Sequence, residues 1–461
     1  MRSPYHAAVC AAIALTTACS NVLPLGSAAQ AGAAPAGTAP EFSSPINRTF
    51  GSGTIQHIVV IVQENRTVDN LFNGFPGADT QPWGRNEDHQ MVVLKRTPLV
   101  VPYDVAHKHK SWVSDYENGR MNGFSAEGEN CYKTENKCPP AALASYGFVP
   151  RSDVEPYWQM AEQYTFADKM FQSNEGPSFP AHQYLISGTS SIADGSPYKA
   201  EENAEAPRSG GKQGGCSSLP SATVVTIDSQ GKSGPTVFPC FDRNSIMHEM
   251  DLQHVSWRYF QERGGAGQWH AVDAIKNVWD GPTFNNVKHP SKLALKMIRE
   301  NKLVSVAFIT PSARNSDHAG RTDGHGPDWV GSIVNTIGQS NYWQNTAIIV
   351  VWDDWGGWYD HVRPKIFNTY ELGFRVPMIV ISPYAKRAYV SHAHYEFGSI
   401  LKFIEETFGL PSMGTTDARA NDLSDFFDFT QPPRHFHPIK TTLSPRYFEN
   451  EPIDNRPIDD D

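Results

Sequence analysis

The stretch Ile348–Val362, IIVVWDDWGGWYDHV, opens on Ile-Ile-Val-Val-Trp, turns abruptly to Asp353 and Asp354, and then meets Gly356 and Gly357. A short run of β-branched residues without polar alternation reads as a strand buried on both faces. Two adjacent carboxylates at the end of such a strand repel each other and lose hydration, a cost that a bound divalent cation offsets. The two glycines let the backbone turn sharply and approach a ligand. A solvated turn is the competing reading of the acid pair alone.

Three more segments share the pattern: HIVVIVQENR (57–66), LVSVAFITP (303–311) and VPMIVISPYAK (376–386). Between or beside them lie stretches with helical periodicity: EPYWQMAEQY (155–164), NSIMHEMDLQ (244–253), SKLALKMIREN (291–301), DWVGSIVNTIGQS (328–340) and FGSILKFIEETFG (397–409). The alternation predicts an α/β fold with a mainly parallel central sheet flanked by helices. Ligands of such sheets bind beyond the carboxyl ends of the strands. Three of the four strands deliver polar residues there: Glu64 and Asn65, then Asp317 and His318 of NSDHAG, then Asp353 and Asp354. Acids at more than one strand end predict a metal site.

The segment NEGPSFPAHQYLISG (174–188) brackets Ser178 between Pro177 and Pro180, with a helix expected to begin there. Ser178 reads either as a helix N-cap or as a nucleophile at a helix start, where the dipole and free N–H groups favour phosphate. Bound metal would lower its hydroxyl pKa.

The 461 residues are 39% hydrophobic and 19% charged, with a net charge of −10, which argues against a general affinity for nucleic acid backbone. Arg2 followed by an apolar run from Ala7 to Ala18 reads as a secretion signal over residues 1–19. TTAC, ending at Cys19, is similar to a lipobox and would place a lipid anchor on Cys19; cleavage near GSAAQAGA is the alternative. Residues 20–46 read as an Ala/Gly/Pro-rich tether, and 47–461 as a single catalytic domain with a loop-rich insertion around 194–240. Four cysteines remain after the signal, an even number that suits disulfides in an exported protein. Nearest-neighbour pairing gives Cys131–Cys138 and Cys216–Cys240, one of three pairings. No C-x-x-C pair supports a zinc site. There is no phosphate-binding G-x-x-x-x-G-K-[ST] loop, no G-x-S-x-G elbow and no C-x-P-x-R sulfatase sequence.

Six segments taken together, HIVVIVQENRTVDNLF, DVAHKHKSWVSDYENGRMNGF, NEGPSFPAHQYLISG, SDHAG, WDDWGGWYDHV and GFRVPMIVISPYAK, resemble the bacterial phospholipase C and acid phosphatase family over about residues 56–429. The resemblance implies an alkaline phosphatase-like fold and one divalent metal ion (calcium, magnesium, manganese or zinc) held by Glu64, Asn65, Ser178, Asp353 and Asp354. It implies Ser178 as nucleophile, with His107, His254 and His318 as catalytic histidines and Asn65, His107 and His318 contacting substrate. His254 is matched on its spacing to Asp353. Asp360 and His361 are expected to orient the turn, and His109 has no assigned role. Trp352, Trp355, Trp358 and Tyr359 are read either as core or as a surface for choline or lipid.

The implied activity is phosphoric ester hydrolysis through a phosphoserine, on monoesters as an acid phosphatase or on phospholipids as a phospholipase C. Asp354, rather than Glu, and the lack of a long C-terminal extension lean toward the phosphatases. A nucleotide phosphodiesterase and a non-catalytic surface lipoprotein are the alternatives. An exported protein is expected, periplasmic, secreted or lipid-anchored.

Overall fold

The computed structural model describes residues 53–132, 138–206 and 213–456, all within the compact unit Pro45–Asp461. The secretion signal, the tether and Cys19 lie outside the described residues.

The centre is an eight-stranded sheet built from β1 (His57–Gln63), β2 (Thr165–Ala167), β3 (Trp257–Phe260), β4 (Val287–Lys288), β5 (Val306–Ile309), β6 (Thr346–Trp352), β7 (Met378–Ile381) and β8 (Tyr389–Ser391). Their spatial order is β4-β3-β5-β1-β6-β7-β2-β8. The apolar runs sit where their composition requires: every residue of β5, β6 and β7 is buried, as is β1 after His57.

All pairings are parallel except those of β7, which is antiparallel to both β6 and β2. This reversal explains why VPMIVISPYAK ends without acids. Its carboxyl end emerges at the opposite edge from those of β1, β5 and β6.

The helices predicted from periodicity form as α1 (Glu155–Gln163), α3 (Ile246–Leu252), α4 (Leu293–Arg299), α5 (Gly326–Gly338) and α6 (Phe397–Phe408), and α2 (Ser178–Ser187) begins at the bracketed serine. Helix α5 packs on α1 and α4, while α2 packs on α6 and α3, and apolar residues of these helices share one core with the sheet.

The Gly/Ser-rich excursion carries its own small pair of strands, Lys199–Ala200 with Thr226–Ile227. Both disulfides join nearest neighbours, Cys131–Cys138 and Cys216–Cys240. Among the described residues, no helix is long and apolar enough to cross a membrane.

Candidate active site

β1 lies between β5 and β6, so the polar ends of three strands meet at one point of the sheet edge. Gln63 pairs in register with Trp352, which places Glu64 beside Asp353. The ladder continues past both strands: Asp353 N–H donates to Gln63 O (3.0 Å) and Asn65 N–H donates to Asp353 Oδ1 (2.9 Å). Glu64, Asn65, Ser178, Asp353 and Asp354 are all fully buried. Asn65 adopts a left-handed backbone (φ 61°), and Gly356 (φ 59°) passes so close that a Cβ there would lie 2.5 Å from Asn65 O.

Ser178 is the first residue of α2, and Pro177 takes the N-cap position without a side-chain cap. The hydroxyl therefore does not cap the helix; Ser178 Oγ donates to Asp354 Oδ2 at 3.1 Å. Asp354 Oδ1 accepts from Gly356 N–H at 2.7 Å, which fixes the carboxylate over the glycine turn. Phe179 N–H donates to Asn203 Oδ1 (2.9 Å), and Pro180 has no N–H. Anion binding at this helix start thus rests on Ser178 N–H and the dipole. Asn203 belongs to the excursion, which therefore reaches the site.

His107 lies beside Asn65. Its Nδ1–H donates to Val105 O (2.7 Å), so its Nε2 accepts from Asn65 Nδ2 (3.1 Å). That contact sets the amide orientation and leaves Asn65 Oδ1 as the free-facing acceptor, buried and without a hydrogen bond. Asp353 Oδ2 is likewise buried without a hydrogen bond. Two such oxygens beside buried carboxylates are the donor set of a hard divalent cation, and the residues present fit one.

His318 is buried, with its Nδ1 2.8 Å from Ala319 O and 3.9 Å from Asp104 Oδ2, and its ring centroid 5.8 Å from that of His107. The neighbouring Asp317 faces elsewhere. Its Oδ2 accepts from Tyr157 OH (2.8 Å) and Trp352 Nε1 (3.0 Å), and burial pushes its carboxyl up to about 6 despite Arg66. Arg66 clamps this loop through two bonds to Asp317 O (2.7 and 2.9 Å).

His254 is not brought to the site. It is exposed, at φ 56°, in the turn between α3 and β3, at the amino end of a strand parallel to β1's neighbour and hence at the opposite sheet edge. Sequence spacing to Asp353 carries no information about sheet edge.

The structure instead supplies His182, one helical turn after Ser178. Its Nε2 lies 3.2 and 3.4 Å from the two Glu64 oxygens and 3.6 Å from Asp353 Oδ2. The i, i+4 spacing from Ser178 was the available signal. His270 is a second buried histidine near this face of α2, its Nδ1 2.7 Å from Gly265 O. Burial lowers it to about 4, and its neighbour Trp269 packs near His318.

The turn after the acids is tied from below. Arg375 donates to both Asp360 oxygens (2.8 and 3.0 Å), all fully buried, and His361 Nδ1 lies 2.6 Å from Asp69 Oδ2. His109 Nδ1 lies 2.5 Å from Glu175 O, joining the His107 loop to the approach to Ser178. Trp352, Trp355, Trp358 and Tyr359 are all buried, Trp355 donating to Asp115 and Trp358 lying under Arg66. They are core, and provide no surface for choline or lipid.

The chain is 24% identical over 448 residues to the hemolytic phospholipase C of Pseudomonas aeruginosa, covering 84% of this chain and 57% of that protein. It is 24% identical to phospholipase C A of Mycobacterium tuberculosis, covering 85% and 82% respectively. It is 23% identical to non-specific phospholipase C1 of Arabidopsis thaliana, covering 84% and 74%. The chain thus spans little more than half the length of the Pseudomonas relative. The Phosphoesterase family model matches residues 55–411, and the chain belongs to that family.

Proposed function

We propose that this protein is a metal-dependent hydrolase of phosphoric esters, with Ser178 as nucleophile. The observation that carries the reading is the Ser178 hydroxyl at the start of α2, bonded to Asp354 beside the two orphaned oxygens of Asn65 and Asp353. Glu64, Asn65, Ser178, Asp353 and Asp354 would hold one divalent ion. Such an ion offsets the carboxylate charge and lowers the pKa of the serine hydroxyl.

The chain's own residues account for the remainder. The α2 dipole and Ser178 N–H favour the phosphoryl oxygens. Ser178 Oγ passes its proton to Asp354, to which it is bonded, and forms a bond to phosphorus as the bond to the ester oxygen breaks. His318, as an imidazolium with Nδ1–H on Ala319 O, delivers its Nε2 proton to the departing alcohol. Water then adds to phosphorus as the Ser178–phosphorus bond breaks, its proton passes to His318, Ser178 recovers its proton from Asp354, and phosphate is released. His107 holds the Asn65 amide in orientation.

The relatives' names, all phospholipase C, favour phospholipid diesters as substrates, with simple monoesters as the alternative. Two disulfides fit an exported protein.

Hydrolysis of p-nitrophenyl phosphate and p-nitrophenylphosphorylcholine by purified protein, with and without chelator, tests the reading. Ser178→Ala is expected to lower kcat by on the order of 10³-fold or more. Chelator-insensitive turnover, or full activity in the variant, refutes it. The preferred substrate separates phosphatase from phospholipase C.

A further inference from the structure

Helix α2 presents two residues to the acid set from one face. Ser178 meets Asp354, and four residues later His182 meets Glu64 and Asp353. Glu64 and Asp353 arrive on different strands, β1 and β6, and are neighbours only through sheet register. Asn65 N–H holds Asp353 Oδ1 from the end of β1. His182, 1% exposed, reaches the Glu64 carboxylate from α2.

We propose that His182 is a positioning residue for the metal site: its Nε2–H, held by α2, bonds the Glu64 carboxylate and keeps it beside Asp353 in the orientation that binds the divalent ion. This rests on the metal reading above and adds a residue to it. Nε2 lies within hydrogen-bond reach of both Glu64 oxygens (3.2 and 3.4 Å) and 3.6 Å from Asp353 Oδ2, an electrostatic contact rather than a hydrogen bond. Partners of this kind behind metal ligands contribute about 10–100-fold to metal affinity. The same contact couples nucleophile to metal site: any shift of α2 that moves Ser178 from Asp354 also moves His182 from Glu64.

The test is calorimetric titration of the chelator-treated full chain with Mn²⁺, Mg²⁺, Ca²⁺ and Zn²⁺, beside His182→Gln, His182→Asn and His182→Ala. Gln places an amide N–H where Nε2 stands, whereas Asn falls short of it. Wild-type Kd for the preferred ion is expected to weaken about 10–100-fold in the Ala and Asn variants and to be largely restored in Gln. Circular dichroism and melting of the metal-free proteins check folding. If Ala does not fold, the Gln–Asn comparison decides.

Equal affinity in Gln and Asn overturns the proposal, as does unchanged affinity in Ala. Imidazole-nitrogen coupling in the electron spin echo of the Mn²⁺-loaded wild type that disappears in Gln also overturns it, because His182 would then be a direct ligand. If the wild type binds none of the four ions, the metal reading itself fails, and that result is distinct from the others.

Discussion

Gly356 stands at the tightest point of the site. Its positive φ and the 2.5 Å approach of Asn65 O to an added Cβ leave no room for a side chain. Gly356→Ala is expected to cost at least about 1–3 kcal/mol, from left-handed strain and displacement of Asn65. Urea denaturation measures the loss, and an unchanged midpoint would contradict it. This glycine was legible in the sequence, because an acid pair followed by Gly-Gly needs a turn. His182 was less so, since inside an apolar helix a histidine reads equally well as core. The false placement of His254 has the converse cause: it matched by distance along the chain, while the fold sends that turn to the other edge.

Among elements, the segment between β6 and β7 is tied at its base by the buried Arg375–Asp360 ion pair. Removing the Arg375 guanidinium leaves the Asp360 carboxylate, and Asp69 nearby at 3.7 Å, buried without their cation. Arg375→Leu is predicted to lose about 3–5 kcal/mol. Adding Asp360→Asn should recover part of that, and denaturation midpoints of the single and double variants check both. Apolar runs made the four main strands readable. Strand direction was not, since period and composition are the same for either polarity. The two- and three-residue strands are too short to show periodicity at all.

Across the whole molecule, burial and like charge raise several carboxyls. Glu175 is pushed up to about 9 by burial and Glu371, Glu202 to about 8 by burial and Glu201, and Glu405 to about 8 by burial and Asp417. In the unfolded chain these groups are already ionised above about pH 5. Between pH 6.5 and 9 these groups therefore bind more protons in the native state than in the unfolded one, and their contribution to stability falls as pH rises. Glu371 works in the opposite sense, since Lys199 and Arg419 overcome its burial and lower it to about 2, but its contribution is constant throughout that window. A urea midpoint that rises from pH 6.5 to pH 9 would contradict the assignment. None of these shifts was visible in the sequence, because each depends on which acids the fold buries side by side.

The reversal of β7 has one more consequence. A parallel successor to β6 would carry the chain away to the far edge, whereas β7 returns it, so residues 353–377 leave and re-enter the sheet on the side of the acids. Asp360 and Arg375 close the base of that excursion, and its outer part bears the exposed Ile366 and Phe367. Residues 365–367 therefore lie outside that tie, and replacing them is expected to leave the Arg375–Asp360 pair and the acid set in place. Grafting a foreign sequence there should leave metal affinity as it was.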